Sequence, residues 1–192
     1  MQHIWITWGL SLLGGLAVSL LPATANDSVY TKLNLEDECA ILMPFDETEP
    51  GSGVAWVCRG FRGIGVFVAE GDLRFTVTPL VEGLPTLSDG SLTYPDFETL
   101  PGFNRINDTL EWRLDATGDP IATILRWFED TGDGSGAERQ YLIVTRALPG
   151  GQCHVARVNA NTVSKANQVA RDIADTQSAA FRCGVDQVQI IE

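Results

Sequence analysis

The feature that most constrains this chain is a series of apolar runs joined by short polar turns. Leu110-Glu111-Trp112-Arg113-Leu114 alternates apolar and polar residues, the period of a β-strand with one buried face. Ile121 to Phe128 follows as a longer apolar-rich run, then Tyr141 to Thr145 and His154 to Val158. The links between them, Asp115 to Pro120 and the Gly/Asp-rich Glu129 to Arg139, are too short for crossover connections. The sequence therefore predicts an antiparallel meander.

A second group of strands is expected between Val29 and Thr78. Val54-Ala55-Trp56-Val57-Cys58 places Val54, Trp56 and Cys58 on one face of a strand. Ile64 to Ala69 and Leu73 to Val77 give two more, with Gly60, Gly63 and Gly71 marking turns. One helix is expected, from Val163 to Phe181. There Val163, Ala166, Val169, Ala170, Ile173, Ala174, Ala180 and Phe181 recur at helical spacing. Lys165, Gln168, Arg171, Asp172 and Asp175 would occupy its other face, with Asn161 as the cap. Val188 to Ile191 reads as a last edge strand. The expected fold is α+β, mainly antiparallel sheet with one C-terminal amphipathic helix.

Between the two groups, the stretch from Pro79 to Asp108 carries Pro79, Pro85, Pro95 and Pro101 with Gly83, Gly90 and Gly102. Proline removes backbone donors, so mainly irregular backbone is expected, a covering loop or a binding loop. Phe97 and Phe103 are the residues expected to pin it to the core. A ligand site, if present, is expected near this stretch and at Trp56.

Residues 1 to 25 read as a secretory signal peptide. An apolar run from Ile4 to Leu21 precedes Ala23-Thr24-Ala25, an A-x-A pattern that places cleavage before Asn26. Its start carries no Lys or Arg, only His3. The remainder, residues 26 to 192, is expected to be a single exported domain in the periplasm or outside the cell. The four cysteines agree, because oxidising compartments let disulfides persist. Four cysteines permit three pairings. We favour Cys39 with Cys58 and Cys153 with Cys183, since each pair closes a local loop. A zinc site would need closer ligand spacing of the C-x-x-C kind.

No acidic or basic residue precedes Asp27, so the whole net charge of −12 belongs to the exported part. Such a domain repels nucleic acid and anionic membrane surfaces. It is soluble, with a basic protein or a small ligand as its possible partners, and no membrane insertion is expected once the signal is removed.

The chemistry-bearing residues argue against a cofactor or a standard catalytic group. His154 is the only histidine after the signal. Its neighbour Cys153 would point to the opposite face of a strand, which excludes a dyad between them. Glu70, Asp72 and Arg74 have strand spacing, with Asp72 and Arg74 a local ion pair. The loop from Asp130 resembles a calcium loop at first sight, but Gly132 and Gly134 stand where an EF-hand needs oxygen ligands, and Tyr141 where it needs Glu. A hairpin tip is the simpler reading. Gly51-Ser52-Gly53 lacks the lysine of a phosphate-binding loop. Asn107-Asp108-Thr109 matches the glycosylation sequon, a pattern common by chance. No catalytic, cofactor or metal residue is assigned.

Two stretches carry a resemblance. One is Trp56-Val57-Cys58-Arg59-Gly60-Phe61 with Gly63, running into Glu70-Gly71-Asp72-Leu73-Arg74. The other is Cys153-His154-Val155-Ala156 through Ala166-Asn167, Ala170-Arg171 and Ala174-Asp175 to Phe181-Arg182-Cys183. Together they resemble a family of uncharacterised exported proteins from Gram-negative bacteria. The resemblance covers most of the exported part. It implies export and disulfides but no activity and no site residues. In architecture and charge alone the chain is also similar to periplasmic lysozyme inhibitors, although their inhibitory motif is not found. The expected function is a non-enzymatic binding or envelope-associated domain. The alternatives are an inhibitor of a basic protein such as lysozyme, and a hydrolase using carboxylates alone.

Overall fold

The computed structural model describes residues 27–46, 48, 52–84 and 94–192. The signal-peptide expectation lies outside the described residues, as does the centre of the Pro79 to Asp108 stretch.

The runs with period two become strands in two sheets. The larger contains β1 (Ser28–Lys32), β6 (Asn104–Ile106), β7 (Thr109–Leu114), β8 (Pro120–Asp130), β9 (Glu138–Arg146), β10 (His154–Asn159) and β11 (Gln189–Ile191). Its order is β1-β7-β8-β9-β10-β11, with β6 paired to the far end of β8. The smaller holds β2 (Ala40–Met43), β3 (Val54–Arg59), β4 (Gly65–Gly71) and β5 (Arg74–Leu80) in that order. The expected meander is β7 to β10, every neighbour antiparallel. One pairing departs from it. β11 runs parallel to β10, which is possible because helix α1 (Ala166–Gln177) provides the crossover between them. β1 also leaves its sequence neighbours and pairs with β7, Val29 opposite Trp112.

Three layers result. Helix α1 lays Ala166, Ala170, Ile173 and Ala174 on one face of the large sheet, against Ala122, Ile124, Leu142, Val144, Val155, Ala156 and Val158. The small sheet covers the other face, bringing Cys58, Val66, Val68 and Val77 onto Leu110, Trp112, Leu125, Trp127 and Ile143. β8 and β9 are therefore apolar on both faces, which explains their continuous apolar runs. Gly60 is where the small sheet comes closest to Trp112: a Cβ there would lie 2.4 Å from the Ile64 oxygen and 2.5 Å from the Trp112 ring.

The expected helix is longer than the observed one. Lys165 takes a left-handed backbone at the N-terminal boundary, φ 57°, and no side chain caps it. Asn161 does not cap; its Oδ1 accepts the Gln140 N–H at 2.6 Å and ties the preceding turn to β9. Nor is the polar face of the helix wholly solvated. Arg171 and Asp175 reach over β7, where alternation points Glu111 and Arg113 towards the helix. Arg113 donates from Nε and Nη2 to the two Asp175 oxygens at 2.9 and 2.6 Å. Arg171 donates to Glu111 from Nε at 2.6 Å.

Both expected disulfides are present, Cys39–Cys58 and Cys153–Cys183. The first pins the approach to β2 against β3; the second ties the start of β10 to the chain just beyond α1. The Asp72–Arg74 ion pair forms at 2.6 Å, beside a hairpin turn in which Asp72 and Leu73 both have positive φ.

The middle stretch corrects two expectations. It is less irregular than its composition suggests: Pro79 lies inside β5 and residues 104–106 form β6. β5 is an edge strand, where a missing N–H costs no ladder bond. Phe97 and Phe103 are not its anchors, since both are about half exposed. Leu100, fully buried, takes that place, and Tyr94 sets its ring 5.8 Å from Phe67 on the outer face of the small sheet.

Candidate functional site

Among the described residues, a hollow lies at one end of the sandwich, where alternation turns Glu129 (β8), Arg139 and Tyr141 (β9) and Arg157 (β10) to the face opposite the helix. Leu100, Pro101 and Gly102 roof it, the β8–β9 hairpin tip forms one side and Ile190 of β11 another. Its volume is about 410 Å³, within the size range of small-molecule sites. A second hollow of about 510 Å³ adjoins it, sharing Pro101, Gly102, Asp130 and Gly132 and adding Asp72, Arg74 and Phe103.

The roof is held close. Glu129, 5% exposed, accepts the Gly102 N–H at 2.9 Å on Oε1, and its Oε2 lies 3.5 Å from Arg139 Nε. A Cβ on Gly102 would approach the Glu129 side chain to 2.9 Å. Asn104 fixes the same segment by donating from Nδ2 to the Gly102 oxygen and to Thr99 Oγ1. The hairpin tip is self-satisfied. Asp133 Oδ1 accepts from Thr131, from the Ser135 hydroxyl and from the Ser135 N–H. Ser135 holds the Asp133 carboxyl down to about 2. Gly132, Gly134 and Gly136, all at positive φ, make this tight tip possible. The loop is thus a hairpin tip, and among the described residues no group of three His, Cys, Asp or Glu could hold a metal ion.

His154 is in the core, 1% exposed, with its ring edge-on to Trp127 at 5.8 Å. Among the described residues neither ring nitrogen has a hydrogen-bond partner, and no nucleophile is paired with it. Burial, aided by the positive charge of Arg157, pushes its pKa down to about 3. Glu98 covers the start of β10, accepting the His154 backbone N–H at 2.6 Å. Burial raises the Glu98 carboxyl above its ordinary range, yet Glu98 lies outside the lining of the hollow. A raised acid and a second acid are therefore not brought together in it, the arrangement a two-carboxylate hydrolase needs.

Trp56 packs beside Cys58 on the central core and does not line the hollow. The expectation of a site near the Pro79 to Asp108 stretch meets residues 100–103, which roof both hollows. Sequence reasoning passed over Glu129, Arg139, Tyr141 and Arg157. For Arg157 a signal existed: a lone charge inside the apolar run Val155-Ala156-Arg157-Val158.

No helix among the described residues is long and apolar enough to cross a membrane. Compared with known families, curated proteins and solved structures, the chain matches no family model, no curated protein and no solved structure.

Proposed function

We propose that this is an exported, non-enzymatic binding protein whose ligand seat is the hollow under Gly102. The carrying observation is that cavity: a pre-formed space of about 410 Å³, walled by Leu100, Pro101 and Ile190 and by the polar groups of Arg139, Tyr141 and Arg157. Apolar walls with a few convergent polar groups are what small-molecule sites share. Two disulfides agree with a periplasmic or extracellular location. The test is native mass spectrometry of protein purified without reductant from its own compartment. A mass starting at Asn26, with both disulfides intact and a small molecule bound, is the expected result. Loss of that species on Gly102→Leu, which fills the roof, would place it in the hollow. A protein that carries nothing and binds nothing at the hollow would remove the reading.

A second reading, a basic protein partner such as a lysozyme, draws on the rim. Leu73 and Phe103 are 62% and 52% exposed there, beside Asp130 and beside Asp72 and Glu138, whose charges Arg74 and Arg105 already pair, in a chain of net charge −12. Binding that is strong at low ionic strength and fades with salt would support it.

A further inference from the structure

Arginines in a protein this acidic generally find a carboxylate. Arg62, Arg74, Arg105, Arg113, Arg139, Arg171 and Arg182 all do. Arg146 instead is held by four backbone carbonyls. Arg126 donates to the side-chain oxygens of Gln140 and Asn167 and Arg59 is exposed at the end of β3; Arg157 differs from all of these. It is partly buried in the wall of the hollow, yet it forms no ion pair among the described residues. Its one hydrogen bond runs from Nη2 to the Thr99 oxygen at 3.1 Å, and its Nε is buried without any partner.

A guanidinium withdrawn from water and left without acceptors costs stability. Its neighbours relieve it only in part. The Glu129 oxygens are already engaged by Gly102 and Arg139. Glu98 accepts the His154 N–H on Oε2 and attracts Arg157 through its charge without forming an ion pair with it. Beside Arg157 in the same wall stands Tyr141, 7% exposed, opposite Trp127 on the next strand. Burial first, with the charges of Glu192 and Glu129 adding to it, raises the Tyr141 hydroxyl above its ordinary range. It is therefore an O–H donor at any physiological pH. The wall thus presents the Arg157 guanidinium and the Tyr141 hydroxyl next to apolar surface.

We infer that the hollow takes a small organic carboxylate, its two oxygens paired with the guanidinium of Arg157 and its apolar body lying against Leu100, Pro101 and Ile190. A planar guanidinium reads a carboxylate through two parallel N–H donors, which supplies acceptors to the terminal N–H groups of Arg157; Nε, closed off from the hollow, is not among them. This rests on the hollow being the ligand seat.

The probes are benzoate and its neutral counterpart benzamide, titrated into the full oxidised protein. The readout is the backbone N–H signal of Gly102, which lines the hollow and is present in every variant, in a ¹H–¹⁵N spectrum. Benzoate is expected to shift that signal saturably at millimolar concentrations, with benzamide at least about tenfold weaker. Arg157→Gln should weaken benzoate about tenfold or more while keeping the wild-type melting profile, and Tyr141→Phe guards against misfolding of that variant by weakening benzoate in an intact fold. Equal binding of benzoate and benzamide, unchanged in Arg157→Gln, would overturn the carboxylate assignment and leave the ligand seat standing. No shift at the hollow with either probe would overturn both.

Discussion

The side-chain oxygen of Asn104 accepts the backbone N–H of Phe75 at 3.0 Å, joining β6 of the large sheet to the edge strand of the small one. The Asn104 backbone N–H completes the link by donating to the Leu73 oxygen at 2.9 Å. With its two further bonds to Thr99 and Gly102, this buried amide fastens the two sheets and the roof of the hollow together. Asn104→Ala would strip the acceptor from the Phe75 N–H and release the roof. A loss of about 2–3 kcal/mol in urea denaturation is expected, since several buried groups lose partners at once. Asn104→Asp keeps the acceptor and loses the donors, so it should fall between.

Stability should decline with acid through His154. Its pKa in the fold is about 3, against 6.5 when unfolded. The unfolded chain therefore binds more protons between those values, and stability falls as pH drops from about 6.5 towards 3. The slope reaches at most about 1.4 kcal/mol per pH unit. Glu98 acts in the opposite sense: its raised carboxyl binds protons more readily in the fold, so its contribution is lost as pH rises. His154→Leu should flatten the acid limb of a melting-temperature profile between pH 6.5 and 4. An unchanged limb would assign acid sensitivity to other groups.

The bidentate pair of Arg113 and Asp175 clamps α1 to β7. The Arg113 side chain is 6% exposed and that of Asp175 21%. Asp175→Ala removes the bidentate partner of the buried guanidinium, leaving Glu111 at 3.9 Å, and should cost about 3 kcal/mol. The double change Arg113→Met with Asp175→Leu should recover most of that loss in thermal melts, because the desolvation penalty disappears with the charges.

Leu73 holds φ 58° while 62% exposed, in a two-residue hairpin turn with Asp72 at φ 52°. A left-handed backbone is costly for a residue with a branched side chain and free for glycine. Leu73→Gly, giving the Asp-Gly turn that such hairpins prefer, should raise stability by about 1 kcal/mol. If Leu73 instead contributes to a docking rim, the same change should weaken binding of a basic protein while raising the melting temperature.

The strands were legible because period-two alternation is local, and both disulfides followed from loop length. What escaped was set by contacts distant in sequence. β1 lies beside β7 because Val29 meets Trp112 across the fold, a pairing no local pattern marks. Phe97 and Phe103 looked like anchors by residue type, yet Leu100 fits under the roof and they do not. Asn161 has the right chemistry for a cap but is drawn off by the Gln140 N–H. The hollow was hidden for the same reason, since its wall gathers residues from four strands and a roof nearly thirty positions upstream of the nearest.

The two disulfides span 19 and 30 residues, whereas the β1–β7 ladder joins Ser28 to Arg113. The Cys153–Cys183 bond lies outside that span, and the Cys39–Cys58 bond, nested within it, shortens it only modestly, because closure entropy varies with the logarithm of loop length. Loop-closure entropy for that pairing remains after oxidation is complete, and topology of this kind slows folding. Refolding of the oxidised chain should be limited by docking of its first strand. An oxidised intermediate, with β1 still detached and one edge of the large sheet open, should build up on the way to the native state.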